Sequence, residues 1–152
     1  MTRTLVISMI LNISLVLSSY AATNLKLNPN LDYSSDSNDG PLIIGDELAD
    51  GTVHRGKPAY IIFYQRECYN SKHQARRTVD LYDKYEGQVD FIVIDLDAEI
   101  SKQQAELRDR FYRNYIPHVT IIDKDGQVVY NKSGEIDTLR VSNMLDSALK
   151  PN

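Results

Sequence analysis

From residue 59 onward, continuous apolar runs alternate with amphipathic segments. Ala59–Tyr64 and Val89–Leu96 are short runs rich in β-branched and aromatic residues, which is typical of buried strands. Val119–Ile122 and Gln127–Tyr130 flank the segment Asp123-Lys-Asp-Gly126, and Asp-Gly between two apolar runs favours an antiparallel hairpin. The pattern therefore predicts two buried strands followed by a hairpin.

Three further segments have the periodicity of amphipathic helices. Asn70–Tyr85 carries apolar residues three or four positions apart and is followed by Gly87, which predicts a helix end. Ala98–Tyr112 is a charged helix, and Thr138–Leu149 follows Asp137, a residue type that caps helices. The order β-α-β-α-β-β-α predicts an α/β fold with a central mixed sheet covered by helices on both faces.

The first residues have the pattern of an export signal. Arg3 precedes the apolar run Leu5–Leu17, and Ser19-Tyr20-Ala21 offers small residues for cleavage after Ala21. A membrane anchor is the competing interpretation, but the run is shorter than the roughly 20 residues of a span. No cysteine stands directly after the run, which argues against a lipoprotein. We expect a signal over residues 1–21 and an exported protein, periplasmic or secreted, without stable membrane insertion.

The segment after the predicted cleavage point is polar. Residues 22–45 are rich in Asn, Ser and Asp and predict a flexible leader, with Pro41–Ile44 as a candidate edge strand. Residues 46–152 then form the predicted domain, which begins with a turn-rich stretch. Cleavage would leave 131 of the 152 residues, enough for one domain.

Charge and composition exclude several classes of function. The chain has 17 Lys and Arg against 21 Asp and Glu, and removal of Arg3 would change the net charge from −4 to −5. The charges are interspersed without a basic run, so a nucleic-acid partner is not expected. One cysteine and three scattered histidines lack the spacing of a metal site, and no cofactor is expected. The oligomeric state stays open.

The only cysteine, Cys68, stands where the first predicted helix begins. A thiol at a helix N-terminus faces unpaired N–H groups and the positive end of the helix dipole, which favour the thiolate. Arg66 and Lys72 should add to this effect, whereas Glu67 opposes it. In an oxidising compartment a single cysteine is either buried and inert or able to pair with another molecule, and these neighbours favour pairing.

Two other thiol chemistries fail on spacing. A phosphatase or arsenate-reductase loop needs an arginine six residues after the cysteine, where Gln74 stands. A peroxiredoxin site has a threonine three residues before the cysteine, where Gln65 stands.

From about Gly56 to Leu149 the chain resembles thioredoxin in the order and spacing of several short motifs. They are Gly56-Lys-Pro58, Cys68-Tyr-Asn-Ser71, Val93-Ile-Asp-Leu-Asp97, Tyr115-Ile-Pro117, Asp125-Gly126 and Gly134. The resemblance implies a thioredoxin fold.

The resemblance also implies roles for individual residues. Cys68 matches the attacking cysteine, and Pro117 matches a cis-proline beside the active site, preceded by a residue (Ile116) whose backbone pairs with the substrate. His118 should then lie near Cys68 as a proton donor or charge partner, although a solvated surface histidine is the favoured alternative.

Tyr69, with Tyr112 and Tyr115, is a candidate for a partner-binding patch, or these tyrosines simply pack the domain.

The departures from thioredoxin matter equally. Ser71 replaces the resolving cysteine and is a candidate hydrogen-bond partner for the Cys68 thiolate; its alternative role is that of an ordinary polar residue of the first turn. Glu67 replaces the usual tryptophan, and the positions of the buried aspartate and lysine are Ile62 and Val93. A complete dithiol reductase is therefore not expected.

Two functions remain. The first is thiol–disulfide exchange by one cysteine with protein or small-molecule thiols and disulfides, as an isomerase-like or retention protein, a monothiol reductase, or a scavenger that caps free thiols. The second is a non-catalytic thioredoxin-fold module that binds a protein partner.

Overall fold

Six strands and three helices follow one another in residues 21–151, the part of the chain that the computed structural model describes. They are β1 Thr23–Leu27, β2 Ile43–Asp46, β3 Ala59–Tyr64, α1 Tyr69–Tyr85, β4 Asp90–Asp95, α2 Lys102–Phe111, β5 His118–Ile122, β6 Val128–Ser133 and α3 Thr138–Ala148. The apolar run of the predicted export signal lies outside the described residues. Within them, no helix is long and apolar enough to cross a membrane.

The central sheet has the strand order β4-β3-β5-β6. β3 and β4 are parallel, whereas β5 is antiparallel to both β3 and β6. The predicted hairpin joins β5 to β6, and its turn is closed by a 3.0 Å hydrogen bond from the Gly126 N–H to the Asp123 carbonyl. The mixed sheet predicted from the sequence is therefore confirmed.

Helices cover both faces of this sheet. Successive strand residues point to opposite faces, so Tyr60, Ile62 and Tyr64 pack in the core beneath α1 and α3. Ala59, Ile61 and Phe63 pack on the other face, with Phe111 of α2. Every residue of β3 is buried, as expected for a strand enclosed on both sides. The predicted α/β architecture is confirmed.

The ends of two helices follow local capping signals. The Asp137 carboxylate accepts a hydrogen bond from the Arg140 N–H at 2.8 Å and begins α3, as predicted. α2 begins four residues later than predicted, because Ser101 and Gln104 form a reciprocal capping box at its start. The residues from 98 to 101 are therefore a connection rather than a helical turn.

Residues 22–45 differ from the flexible leader that the sequence predicts. β1 pairs with β2 in an antiparallel ribbon, and β2 extends to Asp46 rather than ending at Ile44. Leu25, Tyr33 and Leu42 are buried in the core shared with α1. The sequence prediction is wrong here because a few apolar side chains in a polar segment suffice to dock it, so the folded structure begins before residue 46.

Candidate functional site

Cys68 lies at the N-cap position of α1, directly after the loop that leaves β3. Its carbonyl accepts a 3.0 Å hydrogen bond from the Lys72 N–H, which begins the helix as the sequence predicts. The thiol is partly exposed and unpaired, and its side chain makes no capping hydrogen bond to the helix. The structure therefore presents one accessible thiol at a helix start.

The loop before Cys68 is held by two carboxylates at the end of β4, Asp95 as its last residue and Asp97 just after it. The Arg66 N–H donates to Asp97 at 2.7 Å, and the Arg66 side chain donates to Asp95 at 2.8 Å. The hydrogen bond with Asp95 is also the main reason that the pKa of Arg66 is raised. The guanidinium predicted to favour the Cys68 thiolate is thus paired with Asp95.

Residues 28–40, which we call the strap, lie against the start of α1. The Asp36 carboxylate accepts a hydrogen bond from the Tyr69 N–H at 2.8 Å. Lys72 is fully buried, and its ammonium donates to the Asp32 carbonyl at 2.6 Å and to the Ser37 hydroxyl at 3.2 Å. The second cation predicted to activate Cys68 is therefore buried against the strap.

The sequence prediction missed the strap as part of the site. Asp and Ser are residue types that cap helices, which was the only local signal available. Asp36 and Tyr69 are 33 positions apart, however, and no spacing rule connects a cap to a helix so distant in sequence. The strap brings a carboxylate to the amide group that directly follows Cys68.

Ser71 is fully buried in the first turn of α1. Residues three positions apart lie on the same side of a helix, so Ser71 is on the Cys68 side. Its hydroxyl has no hydrogen-bond partner within residues 21–151, and the thiol of Cys68 is included in that statement. The hydrogen bond expected between Ser71 and Cys68 is not formed in this structure.

The Ile116–Pro117 peptide bond is cis, as the resemblance to thioredoxin predicts. It immediately precedes His118, which pairs with Phe63 near the end of β3. The loop with Pro117 and the loop with Cys68 therefore meet the sheet at the same edge. The Pro117 carbonyl accepts a 2.8 Å hydrogen bond from the Gly134 N–H, which fixes the loop against the end of β6.

Tyr69 and Tyr115 are exposed, by 40% and 74% respectively. The Tyr69 ring packs against His73 with 4.2 Å between ring centroids. Tyr112 instead stacks on Phe63 in the α2-side core. Of the three tyrosines suggested for a binding patch, the structure leaves two on the surface.

His118 is fully buried, so the expectation of a solvated surface histidine is wrong. Its ring nitrogens lie 2.9 Å from the Ser133 hydroxyl and 2.7 Å from the Asn131 side-chain oxygen. The ring packs on Phe63 and Tyr112, on the α2 face of the sheet, whereas Cys68 begins the helix of the other face. Both nitrogens are engaged, so this geometry does not support a proton donor for Cys68.

We expect His118 to make stability depend on pH. Burial, with a contribution from the positive charge of Arg113, lowers the pKa of His118; the hydrogen bond to Asn131 acts in the opposite direction. The fold therefore favours the neutral ring, and its contribution is present above the unfolded pKa of about 6.5 and is lost as the pH falls below it. Relative to His118→Phe, the free energy of unfolding of the wild type should fall by up to about 1.4 kcal/mol for each pH unit that the pH is lowered in this range.

Urea unfolding of both proteins between pH 7.5 and 5 measures this difference. The free energy of unfolding of the variant also differs from that of the wild type by an amount independent of pH, because the hydrogen bonds of His118 are removed. His54 and His73 are present in both proteins, so any contribution from them cancels in the comparison. If the free energies of unfolding of the two proteins change in parallel between pH 7.5 and 5, His118 is not the titrating group.

Solved structures with the same strand and helix arrangement identify the fold. Chloroplastic thioredoxin z is 18% identical, with 62% of this chain and 80% of that chain covered and a TM-score of 0.51. A thioredoxin-like protein from Clostridium perfringens is 20% identical, with 62% of this chain and 73% of that chain covered and a TM-score of 0.51. Thioredoxin-2, a component of the malaria parasite protein secretion machinery, is 14% identical, covering 64% and 89% with a TM-score of 0.53.

The chain has the thioredoxin fold. No protein-family model and no curated protein matches its sequence. Ile62 and Val93, which the resemblance to thioredoxin matches to a buried aspartate and lysine, are register partners in the parallel β3–β4 pair. Both are buried in the α1-side core, so this part of the core carries no charge from either position.

Proposed function

We propose that this protein is exported and carries out thiol–disulfide exchange through Cys68 alone. The observation that carries the proposal is the thiol itself, partly exposed and unpaired at the start of a helix in a thioredoxin fold. The cis Ile116–Pro117 bond at the same sheet edge supports it, because a substrate chain at this edge would lie beside the thiol.

The proposed reaction has two exchange steps. The Cys68 thiolate attacks one sulfur of a disulfide, a new S–S bond forms, and the other sulfur leaves as a thiolate. A thiolate from a second molecule then attacks the mixed disulfide and regenerates the Cys68 thiolate. Each step breaks one S–S bond and forms one, so no outside oxidant or reductant is needed.

A one-cysteine mechanism agrees with the surroundings of Cys68. Ser71 occupies the position of the resolving thiol and cannot release the partner. Ile62 and Val93 leave no charged pair below the site to take a proton from such a thiol. We therefore expect the mixed disulfide to persist until a thiol from another molecule arrives, which fits retention or isomerisation of partner proteins.

Reaction with 2-hydroxyethyl disulfide, followed by intact-mass spectrometry, tests the proposal. The folded wild type should gain one mercaptoethanol unit on Cys68, and Cys68→Ser should gain none. The same spectrum shows the N-terminus of protein purified from an exporting host: export predicts Ala22, whereas an intact Met1 contradicts it. Labelling that begins only after unfolding would mean that Cys68 is inert and exchange is wrong.

A second candidate function is a non-catalytic module that binds a protein partner. Its support is the pairing of the two cations near Cys68, Arg66 with Asp95 and Lys72 with the strap. A binding module does not need a reactive thiol, so it predicts the inert outcome of the same experiment. Exchange by the folded protein would favour the first function.

A further inference from the structure

Carboxylates hold both ends of the loop 65–69, which carries Cys68. Asp97 accepts hydrogen bonds from the Arg66 N–H and, at 3.4 Å, from the Gln65 side chain. At the other end Asp36 accepts a hydrogen bond from the Tyr69 N–H, the amide that directly follows Cys68. Glu67 adds a third, exposed carboxylate within the loop. The backbone before and after Cys68 is therefore anchored by carboxylates, whose negative charge lies close to the thiol.

The two cations of the loop and the first turn of α1 are both engaged by other groups of the protein. Arg66 is paired with Asp95 at 2.8 Å. Lys72 is fully buried, with its ammonium on the Asp32 carbonyl and the Ser37 hydroxyl of the strap. The pKa of Asp32 is lowered to about 2, chiefly by the hydrogen bond from the Ser34 side chain, so the strap stays acidic at any working pH.

The one buried side-chain group without a partner in the first turn of α1, among the described residues, is neutral. The buried hydroxyl of Ser71 makes no hydrogen bond within the described part of the chain. A hydroxyl contributes no charge that would attract an anion. The first turn therefore adds no charge that would offset the carboxylates of Asp36, Glu67 and Asp97.

We infer that Cys68 selects its exchange partners by charge, reacting with cationic thiols and disulfides in preference to anionic ones such as glutathione. Asp36 is the residue that we assign as the main determinant, because its carboxylate lies on the amide next to Cys68. The inference rests on the proposed exchange function. Charged groups around a site raise the local concentration of oppositely charged partners and repel like charges.

Three small disulfides of different charge test the inference: cystamine, which is cationic, 2-hydroxyethyl disulfide, which is neutral, and glutathione disulfide, which is anionic. Each rate with folded protein is divided by the rate of the same disulfide with a neutral cysteine peptide, which removes intrinsic reactivity. At about 10 mM salt we expect the normalised rate for cystamine to exceed that for glutathione disulfide by at least about tenfold. The ratio should fall at about 0.5 M salt because the charges are then screened.

Asp36→Asn removes the charge and keeps an oxygen that can accept from the Tyr69 N–H. This variant should reduce the ratio by about threefold. Asp125→Asn is the matched control, since Asp125 is exposed in the hairpin at the opposite edge of the sheet. It removes one carboxylate of the same type and should leave the ratio unchanged.

The outcomes separate the two proposals. If none of the three disulfides reacts with folded protein, the exchange function itself is wrong. If all three react at equal normalised rates, exchange stands and charge selection is wrong. If the wild type discriminates but Asp36→Asn does so equally, the assignment to Asp36 is wrong.

Discussion

Replacing Ser71 with cysteine is expected to shorten the lifetime of the Cys68 mixed disulfide by at least about 100-fold. Ser71 lies three residues after Cys68 on the same side of α1, so a thiol there would attack the mixed disulfide within one molecule. The partner would leave as a thiolate, and a disulfide would join positions 68 and 71. Intact-mass spectrometry after removal of excess reagent measures the decay of the adduct.

The buried environment of Ser71 favours this substitution. The serine hydroxyl has no hydrogen-bond partner in the described residues, so its removal breaks no hydrogen bond. Ser71→Ala is the matched control: its adduct should persist like that of the wild type, and its free energy of unfolding should be equal or up to about 1–3 kcal/mol higher. An adduct equally persistent in Ser71→Cys would mean that position 71 does not reach the Cys68 sulfur.

The sheet and its helices could be predicted because their signals are local. The run Ala59–Tyr64 is apolar without interruption, and a strand buried on both faces requires this pattern. Asp-Gly in the hairpin and Asp137 before α3 act on neighbouring residues, so their effect is visible in a short window. The sequence signal for the start of α2 is equally local, because Ser101 and Gln104 have the spacing of a capping box.

The strap could not be predicted because its contacts are distant in sequence. A segment rich in Asn, Ser and Asp has the same composition whether it is disordered or docked. What docks it are single contacts, such as Tyr33 beneath the Arg76 guanidinium at 5.4 Å and Lys72 on the Asp32 carbonyl. These pairs are recognisable only when the fold brings the strap and α1 together.

His118 shows the same difficulty at a single residue. A histidine after a proline, at the start of a strand, has the sequence signal of a polar surface residue. Its burial depends on partners from β6, since Asn131 and Ser133 provide oxygen atoms for both ring nitrogens. The register of β5 and β6 places those oxygens, and that register is a property of the folded hairpin.

Tyr60→Ala should be among the most destabilising single substitutions in this protein. Tyr60 is fully buried in β3, and its ring packs against Phe91 with centroids 5.4 Å apart. Removing a ring of this size from a closed core costs about 3–5 kcal/mol. Because a domain typically has only about 5–15 kcal/mol of stability, much of it would be lost. Urea unfolding midpoints of wild type and variant measure the change.

Tyr60→Phe separates the ring from its hydroxyl. Burial raises the pKa of Tyr60 to about 12, so the hydroxyl stays protonated, 3.0 Å from the Thr78 hydroxyl and 3.1 Å from the Gln74 amide. Gln74 in turn accepts a 2.9 Å hydrogen bond from the Ile136 N–H, which ties α1 to the segment before α3. The phenylalanine variant should lose about 1–2 kcal/mol, because the Gln74 amide is left without its acceptor. If both variants lose the same free energy of unfolding, the stabilisation comes from the hydroxyl and not from the packed ring. That result would contradict the packed core described between β3 and α1.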